Sequence, residues 1–214
     1  MKKCIKYTMT FFCAGAPSKN ATLKLAENLG VLADQIESVR YRGNGWPGKA
    51  TVTLKDKSER HMDYIDSWNQ ILGRNIRKMC KFCVNGVGMY ADISCGDLWN
   101  LDQNQRPEFT EGKGQNIIFA RSKAGRDLLI EASNKGYVYL ENYTKMNDLK
   151  YIQPNHYNMQ TTMSGKIVGM KIVGCNLIPQ YNIKKLFEAS KEISKVKLMR
   201  TAMGTIKRKI KGSI

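Results

Sequence analysis

The sequence predicts an α+β protein, with a small mixed sheet, flanking helices and a basic helical tail. Three observations predict it. Short β-branched runs separated by turn residues fill much of the N-terminal half. Helix-period stretches opened by Ser or Pro stand between and after them. The two kinds of element come in mixed order, with no internal repeat and no low-complexity segment.

Lys3 to Phe12 is apolar and β-branched enough for a strand, and Ser18 is placed to cap a helix that ends at Gly30. Ile36 to Tyr41 alternates as a strand should. Ala50 to Leu54 reads as a second, and Asp56-Lys57 as the turn into a third. Asp63 to Lys78 reads as one helix leading to Cys80. Asn116 to Ala120 is a buried strand, Ser122 caps a helix to Asn134, and Gly136 ends it before a strand from Tyr137 to Leu140. Past Pro154 the pattern is helical. Composition turns strongly basic near Pro179, so the expected division is a domain over 1–178 and a tail over 179–214.

A chain of 214 residues with 42% hydrophobic content can bury a sizeable core. Its net charge of +17 is unevenly spread: residues 183–214 carry ten Lys or Arg against two Glu, which supplies +8 of it. Aromatics are not interleaved with that basic run, so nucleic acid is not the expected partner. The apolar stretch around Phe11 to Gly15 imitates a secretory leader, but Lys6 interrupts it and it is too short. A cytoplasmic location, peripheral at a membrane through the tail, is the expectation. From Ile183 to Ile210 apolar residues recur at three- and four-residue steps between Lys and Arg, the pattern of an amphipathic helix broken or ended near Gly204. Such a stripe fits either its own domain or an anionic membrane surface.

Gly43-Asn44-Gly45-Trp46-Pro47-Gly48 matches the dinucleotide fingerprint letter for letter, yet Pro47 and the alternating residues after it replace the required helix. What remains is a rigid loop. Its glycines let backbone approach a ligand, Arg42 could pair with phosphate, and Trp46 could cover a planar ring. A hairpin connection with a packed Trp fits the spacing equally well.

Six cysteines complete the picture. Thiolates select zinc or iron–sulfur clusters among common metals, and Cys80 and Cys83 form a Cys-x-x-Cys pair among Arg77, Lys78 and Lys81. Cys13 and Cys95 each stand near glycine. Cys4 and Cys175 read as ordinary buried thiols.

Four segments occur in order: Phe12-Cys13-Ala14-Gly15, Arg42-Gly43-Asn44-Gly45-Trp46-Pro47-Gly48, Cys80-Lys81-Phe82-Cys83 and Ala91-Asp92-Ile93-Ser94-Cys95-Gly96-Asp97. Together they resemble the C-terminal domain of the coenzyme F-420 hydrogenase/dehydrogenase beta-subunit family, over about residues 8 to 140. The resemblance implies an iron–sulfur flavoprotein oxidoreductase that passes electrons between a 4Fe-4S cluster, FAD and a deazaflavin or other acceptor, with a redox partner protein or ferredoxin. Some relatives are encoded with polysaccharide biosynthesis genes. It implies Cys13, Cys80, Cys83 and Cys95 as metal ligands, and Arg42, Gly43, Gly45, Trp46, Gly48, Asp92 and Asp97 as residues near the cofactors. The ferredoxin-like segment and the Gly-Thr-Pro-Cys stretch of full-length members are not in this sequence, so the expectation is either a truncated or split member or one whose cluster has lost a ligand and its electron supply. The alternative from the residues alone is a non-enzymatic module that holds one zinc and docks on an anionic surface through its basic tail.

Overall fold

The computed structural model describes residues 4–143, 145–175 and 178–214. The chain divides into two compact units, one of residues 1–77 and 86–152 and the other of 78–85 and 153–214. The basic segment 179–214 is therefore one part of a larger helical unit.

The first unit contains two three-stranded sheets. In one, β5 (Ile93–Asp97) lies between β1 (Met9–Phe11), which it pairs in parallel, and antiparallel β6 (Asn116–Ala120). The other is an antiparallel meander of β2 (Ile36–Arg40), β3 (Lys49–Leu54) and β4 (Glu59–Asp63), with Lys57 at φ 70° in the β3–β4 turn. Helix α1 (Lys19–Asn28) is capped by Ser18, whose Oγ accepts from the Ala21 amide at 3.2 Å. Its Ala21 and Leu25, one turn apart, bury against Ala50, Ile71 and Leu72, while Ala26 meets Val31 and Val52. Removing these side chains from water is the main stabilisation of this unit.

Helix α3 (Lys123–Asn134) begins at the expected Ser122, which accepts from the Gly125 amide and donates to Asp92 Oδ1. It ends at Gly136, in the left-handed region at φ 74°.

Two expectations are corrected, and one strand was not foreseen. Residues 137–140 are not a strand: among the described residues no strand pairs with them, and Tyr137 and Tyr139 are exposed. The stretch from Asp63 is not one helix. It breaks into a short α2 (Tyr64–Asp66), a π turn over Ser67–Leu72 in which the Gly73 amide reaches back to Trp68 O, and a 3₁₀ turn, before Ile76 extends to bridge Pro17. Strand β5 carries no sequence signal, because Cys95 and Gly96 dilute the β-branched pattern.

The second unit is helical. A short α4 (Leu149–Ile152) precedes Gln153 at the end of the first unit; α5 (Pro154–Ile172), α6 (Ile183–Ala189) and α7 (Lys195–Ile210) follow. Pro154 opens α5 at a position where its missing amide costs nothing. Its core joins Met163, Ile167 and Met170 of α5 to Leu186, Ile214 and Phe82. Helices α5 and α7 approach closely at Gly165 and Gly169: a Cβ at Gly165 would stand 2.8 Å from Leu198 O, and one at Gly169 would stand 2.6 Å from Ala202 O. The helical run breaks at Ile193, where the backbone is extended and Ser194 caps α7, and not at Gly204, which lies inside α7.

Candidate functional site

The loop after β2 carries the functional expectations, and it is built on left-handed glycines. Gly48 has φ 74°, and a Cβ there would stand 2.5 Å from Gly43 O, so no other residue fits without moving the backbone. The Trp46–Pro47 peptide is cis. The Trp46 amide donates to Glu111 Oε1 at 2.6 Å and the Gly48 amide to Glu111 Oε2 at 3.1 Å. One carboxylate of the chain thus occupies the loop's amide nest.

Arg42 and Trp46 converge on Asp97 at the end of β5. The Arg42 guanidinium reaches Asp97 Oδ2 at 2.6 Å, and its Nε donates to Pro47 O at 3.3 Å. The Trp46 indole donates to Asp97 Oδ1 at 3.2 Å. Arg42 also lies over the rings of Tyr64 and Trp99 at 5.1 and 5.4 Å. Trp46 packs on Trp99 at 4.4 Å between ring centres, and Trp99 meets Phe109 at 4.8 Å. Arg42 therefore holds the loop to β5, where the sequence suggested a phosphate partner, and Trp46 covers Trp99. Burial pushes the Tyr64 phenol up, the Arg42 cation opposes that, and Asp97 adds to it.

Beneath this cluster the loop borders a cavity of about 680 Å³. Gly43, Asn44, Pro47 and Gly48 form one wall, Tyr64 and Phe109 supply aromatic surface, and Arg40, Lys49 and His61 supply cationic or ionisable groups. Arg40 donates through one terminal nitrogen to Thr51 Oγ1 at 3.3 Å, and Thr51 Oγ1 meets His61 Nδ1 at 3.1 Å. Among the described residues the buried Arg40 Nε has no hydrogen-bond partner. An orphaned guanidinium N–H is costly unless something accepts from it. Glu59, Asp63 and Glu111 stand at the same walls, so the lining is mixed in sign.

Arg40, His61, Tyr64, Phe109 and Glu111 were missed by sequence reasoning. For Arg40 and His61 the signal existed, since β2, β3 and β4 pair Arg40 with Thr51 and Thr51 with His61 across the sheet. Phe109 and Glu111 come from a loop with no periodicity.

The other expected residues do not line this cavity. Asp92 accepts from the Thr8 amide at 2.8 Å, from Thr8 Oγ1 at 2.7 Å and from Ser122 Oγ at 2.5 Å, so it joins the start of β1 to the cap of α3. Those hydrogen bonds, Ser122 first, hold its carboxyl below the usual range. Gly96 is required because a Cβ there would strike the Phe12 ring.

Cys13 and Cys95 belong to the first unit, and Cys80 and Cys83 to the second. Cys95 pairs with Phe11 across β5 and β1, Cys13 follows β1 with its amide bonded to Gly86 O, and burial pushes the Cys95 thiol up. Cys80 and Cys83 close one turn, the Cys83 amide donating to Cys80 O at 3.3 Å. Side chains of the helical unit clamp this turn: Lys166 Nζ donates to Lys81 O, Tyr181 Oη to Phe82 O and Gln160 to Val84 O. Among the described residues no three His, Cys, Asp or Glu side chains come together to hold a metal. Cys4 is exposed, against the expected burial, whereas Cys175 packs partly buried against the helical core.

No curated protein matches the chain. Residues 1–146 match the family described as coenzyme F420 hydrogenase/dehydrogenase, C terminus of the beta subunit, a span that holds the whole loop, the cavity and both strands that carry Asp97 and Arg40. That family is one of redox enzyme subunits. More than half of the chain is matched, and the chain belongs to the family of C-terminal domains of the coenzyme F420 hydrogenase/dehydrogenase beta subunit.

Proposed function

We propose that the first unit binds FAD in the cavity under the loop of residues 42–48 and serves an oxidoreductase as its flavin-carrying subunit. The observation that carries this reading is the cavity bordered by the loop and lined by Arg40, Lys49, His61 and two aromatic rings, beside an Arg40 Nε that has no partner among the described residues. An anionic, partly aromatic ligand satisfies all of these at once. A bound flavin supplies hydride and single-electron chemistry. The chain's own residues do the rest. Arg40 donates to a phosphate oxygen, Gly43 and Gly48 admit the ligand close to backbone, and Tyr64 and Phe109 cover a ring. The Arg42–Asp97 pair keeps the loop in shape.

The resemblance extends the proposal to a 4Fe-4S cluster on Cys13, Cys80, Cys83 and Cys95, with electrons exchanged with a ferredoxin-like partner and a deazaflavin or other acceptor. Cytoplasmic placement belongs to the same proposal.

Two measurements test it. FAD titrated into the purified chain should lose fluorescence on binding, and Arg40→Ala should weaken binding about tenfold or more, the value of a charge-assisted hydrogen bond. No binding by the unaltered chain sinks the flavin reading. Anaerobic reconstitution followed by metal analysis should show iron that is lost in Cys80→Ser/Cys83→Ser. One zinc and no iron would replace the cluster with the structural-zinc alternative.

A further inference from the structure

Helix α7 has more apolar surface than its own unit covers. It buries one face, where Leu198, Thr201, Ala202 and Thr205 lie against Gly165 and Gly169 of α5. The apolar positions of the amphipathic pattern fall elsewhere. At about 100° per residue, Val196, Met199, Met203, Ile206 and Ile210 share a strip about 80° wide, next to the packed face and not on it. Four of them are open to solvent: Val196 is 57% exposed, Met199 64%, Met203 66% and Ile210 75%. Arg200, Lys207 and Lys211 occupy the adjoining strip of about 40° on the same geometry.

The charge is one-sided. The helix sequence KVKLMRTAMGTIKRKI holds six Lys or Arg and no acidic residue. Among the described residues none of these cations makes an ion pair; Lys197 bonds to Asn158 and Arg208 to Thr205. An exposed apolar ridge flanked by unneutralised cations complements an apolar layer edged by anions. A lipid leaflet with anionic headgroups has both parts. Soluble polyanions offer only the second, and α7 contains no aromatic ring on which bases could stack. Among the described residues no helix is long and apolar enough to cross a membrane, and the contact is one of lying on the surface.

We propose that α7 docks the chain on an anionic membrane surface, with Val196, Met199, Met203 and Ile210 inserted among the headgroups and Arg200, Lys207 and Lys211 against the phosphates. The helix is about 24 Å long at 1.5 Å per residue, enough for one contact line in the plane of the leaflet.

Co-sedimentation of the full chain with vesicles tests this. The chain should pellet with phosphatidylcholine vesicles containing about one third phosphatidylserine, and stay in solution with phosphatidylcholine alone or at high salt. Met199→Ser/Met203→Ser adds no charge and replaces two exposed side chains, so its far-UV circular dichroism should match the unaltered chain. Its partition onto anionic vesicles should fall at least about tenfold, because two apolar side chains no longer leave water. Arg200→Gln/Lys207→Gln should also weaken it. Failure of the unaltered chain to pellet at low salt overturns the proposal. So does a Met199→Ser/Met203→Ser variant that binds as well as the unaltered chain, which would mark a purely electrostatic surface suited to a soluble polyanion or an acidic protein.

Discussion

The two units handle charge in opposite ways. In the first, carboxylates are acceptors inside the structure: Asp97 holds Arg42 and Trp46, Glu111 holds two loop amides, and Asp92 holds Thr8 and Ser122. Its geometry depends on polar groups meeting at 2.5–3.2 Å. In the second, order comes from close backbone contact between the glycines of α5 and α7, and among the described residues the cations of α7 make no ion pair. A polar network fixes a loop around a cavity. Close helix packing leaves a charged surface free for something else.

All three tryptophans, Trp46, Trp68 and Trp99, lie in the first unit, so their fluorescence reports that unit while far-UV ellipticity is weighted to the helices of the second. The largest expected effect is that of Gly169→Val. Its Cβ would begin 2.6 Å from Ala202 O and 3.1 Å from Thr205 Cβ, and the γ-methyls have nowhere to go. Overpacking of this kind should cost about 3 kcal/mol. The urea midpoint followed by ellipticity at 222 nm should fall while the tryptophan midpoint stays. If both fall together, the units unfold as one and the comparison loses its basis.

Asp97→Ala is the counterpart in the first unit. It leaves the Arg42 guanidinium without its carboxylate and the Trp46 indole without its acceptor, in side chains 30% and 25% exposed for the pair. Removing one partner of a fully buried pair costs about 3–5 kcal/mol, so a partly exposed one should cost about 2 kcal/mol. Tryptophan fluorescence should report the loss, and Asp97→Asn, which keeps an acceptor for the indole, should recover about half of it. A midpoint unchanged in Asp97→Ala would mean that the loop is held by Glu111 and aromatic packing alone.

Much of this was legible in the sequence where the cause is local. Ser18 and Ser122 cap the helices expected of them because a hydroxyl before a helix satisfies a nearby amide, and Gly136 ends α3 because it tolerates φ 74°. The meander of β2, β3 and β4 follows from alternation and a turn at Asp56-Lys57. Strand β5 was not legible, since burial between β1 and β6 and not its own composition makes it a strand. For the site, the loop was readable as permissive backbone, and it does border a cavity. That Arg42 is engaged by Asp97, 55 positions away, could not be read, because nothing local says which carboxylate folds back on it. The amphipathic repeat of α7 was also readable. Which side it buries was not: the helix packs through Leu198, Ala202 and Thr205, not through the larger apolar residues of the repeat, because the glycines of α5 admit close backbone approach there.

The smallest of these effects concerns Lys166, a cation the helical unit does bury. Its Nζ donates to Lys81 O at 3.0 Å and lies against Met159 Sδ, and burial first, then Arg208 and Lys81, push its pKa down from 10.5 to about 8. Below about pH 8 the ammonium is charged in both folded and unfolded chains, so the folded unit bears the full cost of burying it. Between about pH 8 and 10.5 the unfolded chain holds a proton that the folded one has released, so stability rises with pH across that window. Lys166→Met removes the charge and keeps most of the volume, at the loss of the hydrogen bond to Lys81 O. The desolvation relieved outweighs that bond, and the variant should be more stable by about 1 kcal/mol at pH 7. Its advantage should shrink above pH 8 and reverse before pH 10, because the unaltered chain gains about 2.5 kcal/mol across that window. Comparing the two ellipticity midpoints across pH 6.5–10 cancels the titration of every other group. A constant difference over that range would show that Lys166 does not change its proton there, and that the second unit, like the first, has found a partner for its buried charge.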